Sequence, residues 1–195
     1  MSKKSYLDFK KTKSYRLMKS GDASFIFIQG GRGIGKTWSI MNNLVQEFID
    51  NKRVIIKLCR NNYSIKPEAE SCLEGVLPFF FPDYYTVIKT VGIFKFVYIC
   101  KNKENPEDDD KPIHGWHIPC VAVVSLSAKN NLKSVSQSFN FIDRETKKHL
   151  PLSFYFDEYQ TEDNKYLSDE TESFLSVFST INRERGDTWC IFTSN

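Results

Sequence analysis

Residues 30–37 read Gly-Gly-Arg-Gly-Ile-Gly-Lys-Thr, a GxxxxGK[ST] run, and the chain on either side of it leaves few folds open. Upstream, Ser24 to Gln29 is a short apolar run suited to a buried strand. Downstream, from Ile34, the spacing of Trp38, Ile40, Met41, Leu44, Val45, Phe48 and Ile49 predicts an amphipathic helix closed by Asp50-Asn51-Lys52. Arg53 to Cys59 is a β-branched run and predicts the next strand. Strand, helix and strand of these lengths make a right-handed crossover between parallel strands. Glycines in that context let backbone amides converge on a β-phosphate, while the positive helix end adds its field. In this reading Gly30, Gly31, Arg32, Gly33, Ile34 and Gly35 form the cradle. Lys36 holds the β and γ oxygens and Thr37 offers its hydroxyl to Mg²⁺, so a nucleoside triphosphate and magnesium are the implied cofactors.

The 195 residues are enough for one domain with a full core, because a chain of this size buries roughly 70% of its unfolded surface. A hydrophobic share of 41% excludes general disorder. The net charge of +3 is too mild to assign a nucleic-acid partner. The five cysteines (Cys59, Cys72, Cys100, Cys120, Cys190) contain no CxxC pair and read as buried thiols of a reducing compartment. Residues 1–20 form a basic arm with Lys3, Lys4, Lys10, Lys11, Lys13, Arg16 and Lys19. They hold no signal-peptide core, and no membrane-spanning run follows, which predicts a soluble intracellular protein with no membrane partner.

Further along, Pro67 to Leu77 predicts a helix interrupted by Pro78 and Pro82, and Tyr84 to Cys100 predicts a hairpin turning at Gly92. The acidic run 104–111 reads as a solvated hairpin tip. Ile118 to Leu126 predicts a strand, Ser127 to Ser138 a polar stretch, and Leu152 to Phe156 a buried strand. Phe174, Val177, Phe178 and Ile181 fall on one helical face, Gly186 is a C′ stop, and Thr188 to Thr193 makes a last strand. The alternation is that of an α/β fold: a mainly parallel sheet flanked by helices, with a β-hairpin insertion.

The strand Leu152 to Phe156 delivers Asp157-Glu158 at its C-terminal edge, where open α/β sheets bind ligands. Asp157 is the candidate metal-supporting acid, with Thr37, and Glu158 the candidate for orienting or deprotonating a water. In isolation the pair would be an acidic strand end; beside the glycine loop it favours hydrolysis. Thr193-Ser194-Asn195 ends the last strand at the same edge, either as γ-phosphate sensors or for turn reasons. Arg183 and Arg185 precede that strand and therefore lie at the opposite end of the sheet from their own cradle. They serve either as cations near a helix C-terminus or, in a ring, as fingers entering a neighbour's site, with Arg185 narrowly preferred. Arg60, after the second strand, is a candidate for adenine stacking or for a relay to the next subunit. Lys129 and Lys133 are candidates for a loop touching a phosphate backbone. His114, His117 and His149 have no metal-like spacing and are given no role.

Gly-Gly-Arg-Gly-Ile-Gly-Lys-Thr at 30–37, Phe-Tyr-Phe-Asp-Glu at 154–158 and Thr-Ser-Asn at 193–195 together resemble the ATPase domain of phage DNA-packaging motors and large terminase subunits. The Ile118-Pro119 strand entry and Asn-Arg-Glu-Arg at 182–185 look most like the packaging ATPases of small protein-primed podophages. The resemblance implies the additional-strand, catalytic-glutamate class of P-loop ATPases, working as a homomeric ring, a pentamer, on the portal of the prohead. Such rings hydrolyse ATP to pump double-stranded DNA, in some members with a structural RNA, in the cytoplasm of the bacterial host. Carried over residue by residue, Lys36 and Thr37 match the phosphate and Mg²⁺ residues, Asp157 and Glu158 the acid and the catalytic glutamate, and Arg185 or Arg183 the trans finger, with Asn195 at the cofactor. A C-terminal nuclease-like domain is expected beyond residue 195, residues 1–195 being the ATPase domain. Two other classes fit the glycine loop alone: another P-loop translocase or partition ATPase, and an assembly module that binds ATP without turnover. The Arg32 variant and the Thr-Ser-Asn ending argue against the first, and Glu158 discriminates the second, because Glu158→Gln should keep ATP binding and abolish turnover if hydrolysis is the function.

Overall fold

The computed structural model describes residues 7–102, 109–160, 166–183 and 185–195. Among them, seven strands form one sheet: β1 (Phe25–Gln29), β2 (Val54–Cys59), β3 (Tyr84–Val91), β4 (Phe94–Lys101), β5 (Val121–Ser125), β6 (Leu152–Phe156) and β7 (Thr188–Ser194). Their spatial order is β1-β7-β6-β2-β5-β4-β3. The first five are mutually parallel, and β4 and β3 are antiparallel additions. Every residue of β2, β5, β6 and β7 is buried, as strands covered on both faces must be.

The helices are α1 (Lys13–Ser20), α2 (Lys36–Asn51), α3 (Ile65–Ser71), α4 (Leu77–Phe80), α5 (Lys129–Ser134) and α6 (Glu170–Ile181). On one face of the sheet, Tyr15 of α1 meets Trp189 of β7 edge-on, and Glu68 of α3 lies against Lys57 of β2. On the other, Phe174 and Phe178 of α6 pack with Phe154, Phe192 and Phe25. β1 is an edge strand, and its Phe25 and Phe27 remain 45% and 61% exposed.

The sequence expectation holds for the crossover unit, for the hairpin, with Gly92 at φ +60°, and for the strands around Asp157 and Asn195. Four elements differ. The arm 1–20 is part of the domain from Leu7 onward: Phe9 and Met18 are buried, and full burial of one such side chain contributes about 1.5–3 kcal/mol. The helix expected over Pro67 to Leu77 starts at Ile65, ends at Ser71, and is followed by α4, in which Pro78 occupies the first turn, where its missing N–H costs nothing. The strand expected from Ile118 begins only at Val121. The polar stretch 127–138 is largely helical, anchored by the buried Leu132 and Phe139. Most of the acidic run, residues 104–108, lies outside the described residues.

All five cysteines are free thiols, with Cys72 half-buried and the rest buried. Burial pushes the Cys59, Cys72 and Cys190 thiols up to about 12, which leaves them poor nucleophiles. No helix among the described residues is long and apolar enough to cross a membrane.

Candidate active site

Because β1, β7, β6 and β2 are parallel and adjacent, the residues that follow their C-terminal ends meet along one edge. Between β1 and α2 the loop turns on Gly33 and Gly35, at φ +76° and +79°, a region that only glycine enters freely. A cleft of about 420 Å³ opens there, lined by residues 32–37, by Asp157 and Glu158, and by Ser194 and Asn195. The sequence-predicted loop, acidic pair and strand ending are thus brought together, with Gly30 and Gly31 outside the lining of the cleft.

Lys36 is buried, and its ammonium donates to the carbonyls of Gly30 and, at 2.9 Å, Gly31, and to Asn195 Oδ1 at 3.3 Å. Thr37 donates its hydroxyl to Asp157 Oδ2 at 2.8 Å, joining the start of α2 to the end of β6 across the cleft. The other oxygen, Oδ1, accepts from the Thr193 hydroxyl and from the Glu158 amide. Thr193 and Ser194 are buried, and Ser194 donates to Gln160, so of the final three residues only Asn195 reaches the lysine. Behind Asp157, the Tyr155 hydroxyl lies 3.4 Å from Thr193 Oγ1; burial, reinforced by the Asp157 charge, pushes this phenol well above its usual range.

Glu158 is exposed and adopts φ +51°. A non-glycine residue there costs about 1–3 kcal/mol of backbone strain, so something must hold it. That group is Arg60, whose role the sequence did not reveal. It donates to the Glu158 carbonyl at 2.9 Å and to the Tyr159 carbonyl at 2.5 Å. It also forms a two-point ion pair with Glu170 at 2.8 and 3.0 Å, and lies over the Phe156 and Tyr166 rings. Adenine stacking and a relay were the expectations for Arg60; its donors go to the turn that carries Glu158 and to Glu170 of α6.

Arg183 and Arg185 lie at the N-terminal edge of the sheet, away from this cleft, as expected. Arg183 is exposed. Arg185, the preferred finger, donates to the carbonyls of Ile181 and Phe139, and burial lowers its pKa to about 10. In the single chain Arg185 is thus tied to carbonyls of its own chain, and Arg183 is the more exposed of the two. Lys129 pairs with Asp169 from within a helix, while Lys133 remains exposed. Their segment is therefore not the loop that was expected.

No protein-family model matches the chain, and no curated protein matches it by sequence. Solved structures do. The N-terminal domain of the DNA packaging ATPase from bacteriophage phi29 superimposes with a TM-score of 0.64 at 21% identity, over 94% of this chain and 77% of that one. The chain shares its fold with viral DNA-packaging ATPases. The bacteriophage Phi-29 viral genome packaging motor assembly gives a TM-score of 0.66 at 21% identity, over 98% of this chain. The Phi-28 gp11 DNA packaging motor gives 0.57 at 19% identity, over 93%. This chain spans 47% and 48% of the length of those two motor chains. In this chain's sheet β7 stands between β1, the strand that leads into the glycine loop, and β6, the strand that ends at the acidic pair.

Proposed function

We propose that the chain is the ATP-hydrolysing domain of a viral DNA-packaging motor. The observation that carries this reading is the 2.8 Å hydrogen bond from Thr37 to Asp157, which links the glycine-loop helix to the acidic strand end in the arrangement a magnesium–triphosphate needs. A hydroxyl, a carboxylate and phosphate oxygens are hard oxygen donors and suit Mg²⁺, which keeps several waters and takes few protein ligands. Thr37 and Asp157 would hold it, and when bound it would neutralise charge growing on the phosphate oxygens.

The protein's own groups supply the rest. The amides of residues 30–35 and the Lys36 ammonium bind and orient the phosphates. The Lys36 contacts with Gly30, Gly31 and Asn195 keep that charge at the mouth of the loop. Glu158, its backbone fixed by Arg60, orients the attacking water and accepts its proton. Arg183, exposed at the far edge, enters a neighbour's cleft in a homomeric ring, a pentamer, and stabilises the transferring phosphoryl. The ring works on the portal of a prohead in the host cytoplasm, moves double-stranded DNA, and is completed by a nuclease-like domain and, in some motors, a structural RNA. The fold shared with packaging-motor chains supports the motor reading.

Glu158→Gln should bind a fluorescent ATP analogue with Mg²⁺ as the wild type does, while turnover falls by about 10² or more. Wild-type protein that binds no Mg²⁺–ATP would overturn the ATPase reading. Full-length protein that yields no DNase-protected DNA when supplied with proheads, DNA and ATP would overturn the motor reading alone.

A further inference from the structure

β2 runs Val54-Ile55-Ile56-Lys57-Leu58-Cys59, and every residue of it is buried, the lysine included at 5% exposure. A lysine in the middle of a central parallel strand carries a desolvation cost that an isoleucine would not, and such charges persist where other charges face them. Lys57 Nζ lies 4.0 Å from Asp157 Oδ2, 3.7 Å from Glu68 Oε2 and 4.4 Å from the centre of the Tyr155 ring. The Asp157 oxygen it faces is the one that accepts the Thr37 hydroxyl. The carboxylate assigned to magnesium therefore has a fixed cation behind it. At these distances the effect is coulombic, and between packed strands it is weakly screened by water and salt. Glu68, on α3 and more exposed, draws on the same ammonium from the other side.

We propose that Lys57 is a positioning residue that sets how tightly the site holds its divalent cation, making magnesium binding depend on the nucleotide's own phosphates. The proposal rests on the nucleotide–magnesium reading above. With Lys57 present, the Asp157 charge is already partly balanced, and a divalent ion gains enough only when a triphosphate brings further negative charge. Without it, the Asp157 carboxylate would capture the ion before nucleotide arrives. The ordered arrival of metal and nucleotide together is then a property of the β2 strand and not of the glycine loop.

The experiment is a Mn²⁺ titration followed by electron paramagnetic resonance, without nucleotide and with a non-hydrolysable ATP analogue, on wild type, Lys57→Met, Lys57→Arg and Glu68→Gln. Lys57→Met should bind Mn²⁺ about tenfold more tightly in the absence of nucleotide, as expected for removing one nearby like charge. Lys57→Arg should stay near wild type, and Glu68→Gln should shift binding the other way by a few-fold, which also serves if Lys57→Met does not fold. A purely structural lysine would lower the melting temperature and leave both affinities unmoved. Equal Mn²⁺ affinity in the folded variants and a wild type that binds Mg²⁺–ATP would overturn this proposal alone. A wild type that takes no Mg²⁺–ATP would overturn the site reading instead.

Discussion

The guanidinium of Arg60 holds the backbone carbonyl of Glu158 at 2.9 Å and not its carboxylate, so the two residues are linked through main chain while the acid itself stays exposed. The strained φ of +51° at Glu158 is maintained by this contact, by the Tyr159 carbonyl bond beside it, and by the Glu170 pair that fixes the arginine from behind. Arg60→Ala should therefore release the turn without removing any phosphate ligand. Turnover is expected to fall about tenfold to a hundredfold, with the affinity for a fluorescent ATP analogue within about twofold of wild type. Steady-state kinetics beside equilibrium binding checks this; a loss confined to binding would mean that Arg60 belongs to the nucleotide pocket.

Those residues also mark where the sequence ceases to be readable. Gly30 to Thr37 and Asp157-Glu158 could be found because each motif is contiguous and sits beside a strand whose apolar pattern is plain. Arg60 and Glu170 are 110 positions apart, and nothing local to either announces the other. Lys57 reads as one polar residue inside an apolar run, which strand patterns tolerate. The helical turns of 126–139 were hidden by Ser, Asn and Lys, which have weak or solvent-facing helix signals, around a few buried anchors such as Leu132. The place of β7 between β1 and β6 follows from no pattern within those strands.

Arg183 and Arg185 are separated by melting temperature and by turnover at high protein concentration. Arg185→Ala leaves the Ile181 and Phe139 carbonyls without their donor, and losing buried partners of this kind costs about 1–3 kcal/mol. Its expected signature is a lower melting temperature. Arg183→Ala should leave the melting temperature unchanged and lower turnover only where subunits meet, at high protein concentration. Mixing Arg183→Ala with Glu158→Gln should restore part of the activity. Failure to recover any, with the melting curves as stated, would remove the trans role of Arg183.

Thr193 is fully buried and directs its hydroxyl to Asp157 Oδ1. Thr193→Val keeps the shape and removes the donor, leaving a carboxylate oxygen with one partner fewer on the inner side. The half-saturating Mg²⁺ concentration for ATP binding should change several-fold while the fold is retained. Circular dichroism melts and a Mg²⁺ titration at fixed nucleotide check both halves, and an unaltered titration would show that Thr193 supports the strand only.

Stability against acid follows from groups at the other end of the molecule and on the far side of α2. Burial raises the Glu47 pKa, but hydrogen bonds from Lys19 and Tyr15 outweigh it and hold the carboxyl below its ordinary value. Asp143 is depressed further by Lys52 and by the amides of Thr146 and Glu145. Burial also lowers the pKa of His114, packed on Phe48, and of His117. All four have folded values below their unfolded ones, so each contributes stability above its unfolded pKa that is lost as pH falls toward the folded value. The histidine share should begin to go below about pH 6.5 and the carboxylate share below about pH 4. A thermal melt series from pH 8 to 3 should fall in those two stages. His114→Gln with His117→Gln should flatten the first, and Glu47→Gln with Asp143→Asn the second, at the expense of a lower melting temperature at neutral pH. A series that rises on acidification through pH 6 would mean that the folded protein binds protons at these histidines more readily than the unfolded chain does.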